Sequence, residues 1–593
     1  MHNKNFYNLS KLIFVLFLIT IFFTINFNRI DYGLPFFVNL DEIAFLYANL
    51  SSISFITGVE TYSLNPIYAP LMSIILILKF IFFNELIINS LSFDEIRSKI
   101  YFNPELLIFY GRVASLFTTS LSIFVLYLIF KKLKIKFFIY SVLLITFSSS
   151  LVALDAANVF GKTSYFLLFF LIQLYFLIKY LLKISNFGIK SYIIFALLGS
   201  IAWGINYWPA FISGYSVLFL HFQKFRFAKL KYIFLFSIIF IFFGPVMDFF
   251  FNGGEEIYIH LFNDHPLDTI GVDILEKILL DFFGGLKILY FAEKNFLLLL
   301  IMAPFFLINN QVSYKKEFLI ISFIIFEPVI LFGLAQGAIP QLRYFIGSIC
   351  VTLILVSLIF NEFYKTNLKY LVVIFLISNL FFIYKNINLN NEINQIAKSH
   401  SFYKFNENIK SKDHSKILYM VDLGFQETLD QNLLYLELYE NDLIKKSQLQ
   451  KEFIKRIEKK IEKINNTKNI IHEDRLLKNN ITYFNYTSFQ IDDLNNFFNF
   501  IKNKFDYVLI EESVVFYLSD QKIQNQIKNY VKENFLLEKI HTNQNKIFVS
   551  SYRSLIHYHL NVLNAFDTSR GINNDNKMLE KVFGSNYSLY KIK

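Results

Sequence analysis

Two adjacent carboxylates, Asp41 and Glu42, stand a short way past the first apolar segment of the chain, residues 11–27. A carboxylate can act as a general base toward a hydroxyl or an amine. Ionisable groups close to membrane-spanning segments are costly and usually functional, so packing does not explain this pair well. The pair therefore predicts chemistry at a membrane surface.

The composition is that of a polytopic membrane protein. Hydrophobic residues make up 55% of the 593 residues and aromatic residues 19%, with less charge than a soluble protein of this length carries. Apolar segments of spanning length recur through the first two thirds of the chain, and we count about eleven. The predicted spans are residues 11–27, 106–130, 137–153, 163–182, 191–206, 208–221, 233–250, 295–309, 317–334, 344–361 and 369–384. Residues 66–83 are also apolar but contain Pro70, and we expect a helix lying at the interface.

The loops between the predicted spans alternate in charge. Lysines and arginines concentrate in every second loop, which is the pattern of cytoplasmic loops, and the N-terminus is then cytoplasmic. The net charge of +11 follows from these loops, and we expect no nucleic-acid partner. An odd number of spans places everything after residue 384 on the outer side. The first apolar segment lacks a small-residue cleavage site, so we expect it to be kept as a helix.

The composition changes near residue 385, which divides the chain into a transmembrane domain, 1–384, and an outer domain, 385–593. Short β-rich runs alternate with charged helical stretches in the second part, a pattern that predicts a small α/β domain. The expected fold class is thus an α-helical membrane protein with a C-terminal α/β soluble domain. The single cysteine, Cys350, allows no intramolecular disulfide and no cysteine-based metal site.

Further polar residues fall at span ends on the side that carries Asp41 and Glu42. They are Arg112, Asp155, Lys162, Arg343 and Tyr344. Arginines, with their fixed fork of donors, suit a phosphate group. Two simpler interpretations stay open, because Lys162 could be an interfacial anchor and Arg112 could pair with a nearby acid for structural reasons.

Together these features resemble the GT-C glycosyltransferases. The resemblance rests on the early acidic pair, the long first outer loop with the stretch Asn65–Leu71, and the Gly111–Ser115 start of the second span. It is strongest toward the protein O-mannosyltransferases and the lipid A aminoarabinose transferases, loosely glycosyltransferase family 39, and covers about residues 1–384. The appended outer domain is similar to those of many bacterial members.

The resemblance implies a transferase that takes a sugar from a polyprenyl-phosphate donor on the outer face of the membrane, with inversion. Asp41 would be the catalytic base, and Glu42 would support it or bind the acceptor. The lipid phosphate would meet Arg112, Lys162 and Arg343, with Tyr344 helping to hold it. Asp155 would orient one of these cations or the acceptor.

The sequence also departs from this family. A lysine common in the proline-containing stretch of the first loop is replaced by Ala69, which weakens the phosphate site. No Asp-x-Asp pair is evident there, so we expect neither a metal nor another cofactor. The acceptor stays open between a glycolipid, a polysaccharide and a protein, although Asp264-His265 lacks the fuller motif of the protein O-mannosyltransferases. The expected location is a bacterial inner membrane.

Two other classes of function remain. A transporter or flippase for a lipid-linked sugar would show internal repeats or helices broken near the membrane midplane, and the sequence has no clear repeat. A non-catalytic membrane scaffold or sensor would leave Asp41 and Glu42 without a role.

Overall fold

In the computed structural model, the described residues up to 398 are mainly apolar helices, and a small sheet lies near the C-terminus. The structure describes residues 2–30, 42, 45, 68–102, 105–205, 207–247, 293, 346–365, 369–398, 415–421, 429–444, 451, 454–455, 457–459, 481–485, 494–511, 521–541 and 587–593.

The helices of the first part are numbered in chain order. They are α1 His2–Phe27, α2 Tyr68–Ile81, α3 Phe93–Phe102, α4 Glu105–Lys132, α5 Phe137–Ser148, α6 Leu151–Asn158, α7 Lys162–Leu182, α8 Ile189–Trp203, α9 Tyr207–Phe225, α10 Lys231–Ile241, α11 Ile346–Phe363 and α12 Lys369–Lys398. Two of them continue as π-helix: α2 through Phe82–Ile88 and α10 through Phe242–Val246.

Within the described residues, 5 helices are long and apolar enough to cross a membrane, or 6 if one bent pair is a single span. The candidates are Leu9–Phe27, Leu71–Ile88, Leu106–Lys132, Lys162–Leu182 and Val372–Leu389. Such helices are compatible with an integral membrane location. The described helices thus fall well short of the eleven expected spans, and the spans expected at 295–309 and 317–334 lie outside the described residues.

Several expected spans differ from the helices found. The segment expected as one span at 137–153 is instead the pair α5 and α6, bent by 55°. Ser149 and Ser150 interrupt the helix there, and the Ser150 hydroxyl accepts a hydrogen bond from the Ala153 N–H at 3.1 Å, which starts α6 anew. The expected spans 191–206, 233–250 and 344–361 are shorter apolar helices.

Helix α4 lies at the centre of the bundle, since 72% of the residues in its most apolar stretch are buried. The corresponding share for α1 is 17%. It also carries a run of hydroxyl side chains, which an apolar surrounding would penalise if they lacked partners. The hydroxyls of Thr118, Thr119, Ser120 and Ser122 each donate to the carbonyl four residues earlier, at 2.7–2.9 Å. Local bonding therefore lets polar residues sit inside the bundle.

The described residues of the C-terminal part form a five-stranded sheet with strand order β2-β1-β3-β5-β4. Its elements in chain order are β1 Ile417–Val421, α13 Leu429–Glu440, β2 Ile481–Asn485, α14 Leu494–Lys504, β3 Tyr507–Glu511, α15 Gln521–Asn534, β4 Phe535–His541 and β5 Tyr587–Ile592. Strand β1 pairs in parallel with β2 and β3, and β5 runs antiparallel between β3 and β4. Helices between parallel strands are typical of an α/β arrangement.

A separate apolar core supports this sheet. Buried residues of the parallel strands, such as Leu418 and Val508, pack with residues of the surrounding helices, such as Phe498 and Val531. Burial raises the pKa of the Tyr419 hydroxyl in β1. Helix α12 continues without interruption to Lys398, past the domain boundary expected at residue 385.

Candidate functional site

The contacts between helices establish which helix ends lie together. Helices α4 and α7 run in the same direction, because Phe160, just before α7, packs over Gly111 near the start of α4. Helix α8 runs back along α7, since the Gln173 side chain reaches the Leu198 carbonyl at 3.4 Å. Gly204, after α8, therefore lies at the same end as Gly111 and Phe160. We call this the site end of the bundle.

A buried ion pair between Glu42 and Arg112 lies at the site end. The Arg112 guanidinium donates from Nε to Glu42 Oε1 at 2.8 Å and from Nη2 to Oε2 at 2.9 Å. Its Nη1 donates to the Ile30 carbonyl at 2.8 Å, just past the end of α1. The Phe160 N–H adds a hydrogen bond to Glu42 Oε1 at 2.8 Å. One carboxylate thus connects three segments that are far apart in the chain.

Aromatic packing holds this pair in place. The ring of Phe45, three residues after Glu42, meets the ring of Phe160 edge to face at 5.0 Å. A Cβ atom added at Gly111 would lie 2.5 Å from the Phe160 ring, so only glycine lets the ring approach α4 here. The position of Phe160, and with it the N–H that binds Glu42, depends on the residue that precedes Arg112.

Asp155 and Asn158 lie on α6 near the same end. Asp155 is buried, with an exposed fraction of 2%. The Asn158 amide donates to Asn26 Oδ1 at 2.8 Å, which joins α6 to the last turn of α1. The asparagine pair was not predicted from the sequence, because asparagine is common throughout this chain.

Lys162 is the first residue of α7, only two positions after the N–H that binds Glu42, and it is partly exposed. The structure thus brings Glu42, Arg112, Asp155 and Lys162 to one end of the bundle. It pairs Arg112 with Glu42. The remaining predicted site residues, Asp41, Arg343 and Tyr344, lie outside the described residues.

A further buried carboxylate, which was not predicted from the sequence, is Glu85 in the π-helical continuation of α2. Lys99 of α3 binds Glu85 Oε2 at 2.7 Å, and the Tyr110 hydroxyl of α4 donates to Oε1 at 2.6 Å. Asn84 and Asn89 donate further hydrogen bonds to the same carboxylate. The exposed fraction is 4% for the Glu85 side chain and 37% for Lys99. Glu85 thus joins α2, α3 and α4 beside the Arg112 turn.

Helix α2 has both of its ends attached to the site end. At its start, the backbone N–H groups of Tyr68 and Ala69 donate to the Gly204 carbonyl at 2.8 and 3.1 Å. At its far end, Glu85 meets Tyr110. Because both attachments are at one end of the bundle, these contacts favour the expected interfacial helix, although Leu71–Ile88 is long enough to cross a membrane. Helix α3 follows, and hydrogen bonds from the Ser92 backbone N–H and hydroxyl lower the pKa of Glu95 in its first turn.

Glu293 is another buried carboxylate that was not predicted from the sequence. Its exposed fraction is 0%. Oε1 accepts a hydrogen bond from the Val152 N–H in the first turn of α6 at 3.0 Å, and Oε2 accepts one from the Asn386 amide of α12 at 3.3 Å. A carboxylate suits this position, because the first N–H groups of a helix have no partner within the helix and favour negative charge. The serine run at 148–150 was a sequence signal for the helix break.

No protein-family model matches this chain, and no curated protein matches it either. Across the part of the chain that the structure describes, no group of three His, Cys, Asp or Glu side chains is placed to hold a metal ion.

Proposed function

We propose that this protein is a membrane glycosyltransferase of the GT-C type, which moves a sugar from a polyprenyl-phosphate donor to a cell-envelope acceptor. The reaction joins an acceptor hydroxyl or amine to the anomeric carbon while the bond from that carbon to the phosphate oxygen breaks. Asp41 accepts the acceptor proton, and the polyprenyl phosphate leaves with the bonding electron pair. Attack opposite the leaving group inverts the anomeric centre.

The observation that carries the proposal is the buried Glu42–Arg112 pair at the site end. The Glu42 carboxylate accepts two hydrogen bonds from Arg112 and one from the Phe160 N–H, and Asp41 directly precedes Glu42 in the chain. Such preorganisation is what a catalytic base requires, because small displacements of a reacting group slow a reaction strongly.

The structure changes the role that we assign to Arg112. Its three guanidinium nitrogens each donate to an acceptor within the protein, and the residue is 2% exposed. We therefore assign Arg112 to holding Glu42. Contact with the lipid phosphate falls to Lys162, Arg343 and Tyr344, and Asp155 orients a cation or the acceptor. The GT-C arrangement of the membrane helices, the outer position of the α/β domain and the bacterial inner membrane belong to the same proposal.

The test is transfer of radiolabelled sugar from polyprenyl-phosphate donors to cell-envelope acceptors in membranes that contain the full-length protein. Wild type is compared with Asp41→Asn, and Asp94→Asn serves as a matched control because it is another first-loop aspartate. We expect Asp41→Asn to lose transfer at least about a hundredfold, within the usual contribution of general base catalysis, while Asp94→Asn retains it. Full transfer by Asp41→Asn would refute the assignment.

One observation favours a second candidate, a transporter or flippase for a lipid-linked sugar. Helices broken inside the membrane, with polar groups at the break, are typical of transporters. The 55° bend between α5 and α6 has the buried carboxylate of Glu293 at the start of its second half. Movement of a fluorescent polyprenyl-phosphate sugar across the membrane of vesicles that contain no acceptor would support the transporter. Transfer of the sugar to an acceptor would support the glycosyltransferase.

A further inference from the structure

The end of the bundle opposite the site end carries a concentration of positive charge with no acid nearby in the sequence. From Ala156 to Met247 the chain contains no Asp or Glu. Within this range, Lys162 lies at the site end and Lys179 lies in the last turn of α7. All the other lysines and arginines of the range flank the α7–α8 turn or the α9–α10 turn. They are Lys183, Lys190, Lys224, Arg226, Lys229 and Lys231. We call these six residues the basic end surface.

The two turns form one surface because a lysine connects them. Lys224 Nζ, in the last turn of α9, donates to the Ser185 carbonyl at 2.7 Å and also to the Phe187 carbonyl in the α7–α8 turn. Lys183, Lys190, Arg226, Lys229 and Lys231 are exposed. Like charges that are held together repel one another, so such a surface favours an anionic partner.

Apolar side chains lie within the same surface. Phe227 is 81% exposed and Leu230 is 51% exposed, although both stand in the basic α9–α10 turn. The apolar stripe continues along α10 at helical spacing through Phe234, Ile238 and Ile241, all at least half exposed. An apolar stripe of this kind on a candidate membrane protein faces lipid, and the basic turn then lies at the level of the headgroups.

We propose that the basic end surface binds the headgroups of anionic phospholipids, while Phe227 and Leu230 enter the acyl region beside them. The phosphates interact with Arg226, Lys229 and Lys231. The apolar stripe distinguishes this partner from a nucleic acid, which would leave Phe227 and the exposed face of α10 in water. The proposal concerns the end opposite Glu42 and Arg112, so it does not rest on the proposed transferase activity.

The test uses the full-length protein in nanodiscs, with a tryptophan reporter in the turn. The chain has only 2 tryptophans, so Trp203→Phe and Trp208→Phe remove the background and Phe227→Trp supplies the signal. Fluorescence quenching is compared between brominated phosphatidylglycerol and brominated phosphatidylcholine. We expect stronger quenching by phosphatidylglycerol, and we expect salt to weaken it, since exposed charges are screened.

Two charge variants of the reporter protein then locate the site. Arg226→Gln/Lys229→Gln/Lys231→Gln should lower the apparent affinity for phosphatidylglycerol by about a hundredfold, at about fivefold for each cation removed. The matched control, Lys131→Gln/Lys132→Gln/Lys134→Gln, removes three cations from the end of α4 and the turn that follows it, at the same end of the bundle. It should change the affinity much less.

Three results would overturn the proposal. Equal quenching by the two brominated lipids would show that the surface has no headgroup preference. Equal losses of affinity for phosphatidylglycerol in the two triple variants would show a general charge effect. Displacement of phosphatidylglycerol by a short RNA at lower concentration would identify a nucleic-acid surface in its place.

Discussion

Arg112 donates two hydrogen bonds to the carboxylate of Glu42, and the exposed fractions of the two side chains are 3% and 1%. The two residues are 70 positions apart in the chain, so the pair attaches the segment after α1 to α4. A buried pair of this kind is weak evidence for net stability, because both charges lose their hydration. Its clear consequence is positional, since two hydrogen bonds hold the guanidinium and the carboxylate against each other.

The first prediction concerns the loss of this pair. Arg112→Met should lower the free energy of unfolding by about 3–5 kcal/mol, because the buried Glu42 carboxylate loses the guanidinium that binds both of its oxygens. The double variant Arg112→Met/Glu42→Leu should be more stable than Arg112→Met alone. Equilibrium unfolding of the full chain in detergent micelles measures both. The control is Lys365→Met, which breaks the exposed pair with Glu362 and should change stability by less than about 1 kcal/mol. Equal effects of Arg112→Met and Lys365→Met would contradict the prediction.

The second prediction concerns the glycine beside Arg112. Gly111→Ala would place a Cβ atom 2.5 Å from the Phe160 ring, and such overpacking should destabilise the protein by about 1–3 kcal/mol. A smaller partner in Gly111→Ala/Phe160→Leu should recover part of that loss. Thermal unfolding of the three proteins provides the measurement.

The matched control for this glycine is Gly214→Ala. A Cβ atom at this helical position meets nothing within 4 Å, so alanine should raise stability there by up to about 1 kcal/mol. If Gly111→Ala behaved like Gly214→Ala, the close packing of Phe160 on α4 would be wrong.

The third prediction tests the Glu85 network. The Tyr110 hydroxyl donates to Glu85 at 2.6 Å and accepts from the Asn84 amide at 2.7 Å. Tyr110→Phe leaves the Glu85 carboxylate and the Asn84 amide each with one hydrogen-bond partner fewer. The substitution should therefore reduce the free energy of unfolding by about 1–3 kcal/mol. Tyr215→Phe, at a tyrosine that is 57% exposed, should leave it nearly unchanged. Equal stability of the two variants would show that the network contributes nothing measurable.

The sequence predicted the helical membrane character, the loops rich in lysine and arginine, and a common side for Glu42, Arg112, Asp155 and Lys162. Those features depend on local composition and on counting alternate loops. The pairing of Arg112 with Glu42 was left open, because the choice between a structural partner and a phosphate ligand depends on a contact between distant segments. Glu85 was missed for the same reason, since its partners come from three helices.

The span count was less predictable than the helices themselves. The apolar run that contains Ser148, Ser149 and Ser150 has the composition of one span, but the serines end one helix and begin another. Length alone also does not separate a crossing helix from one that lies across the bundle end, as α2 illustrates. Its orientation depends on the contact of Tyr68 with Gly204 and on that of Glu85 with Tyr110. Neither contact can be predicted from a single sequence.

The fourth prediction tests whether the C-terminal α/β part folds as a unit of its own. Phe498 is fully buried, and its ring stacks on Tyr530 at 5.0 Å and meets Phe535 at 6.0 Å. Phe498→Ala should destabilise this core by about 3–5 kcal/mol. Hydrogen exchange should then rise in β1, β3 and α15 while α4 and α7 stay protected. Equal loss of protection in α4 would show that the two parts unfold together.

The last prediction separates the two candidate functions through Glu293. In Glu293→Gln one carboxylate oxygen becomes an amide NH₂ group, which faces either the Val152 N–H or the Asn386 amide as a second donor. The free energy of unfolding should fall by about 1–3 kcal/mol.

In a transferase whose base is Asp41, sugar transfer by Glu293→Gln should persist at a temperature where the variant remains folded. In a transporter that uses Glu293 at the helix break, acceptor-free movement of the lipid-linked sugar should be lost even there. Asn386→Asp is the companion variant, because it places a second acid against Glu293 and should destabilise the protein further. A Glu293→Gln variant as stable as wild type would show that its carboxylate does not hold the start of α6.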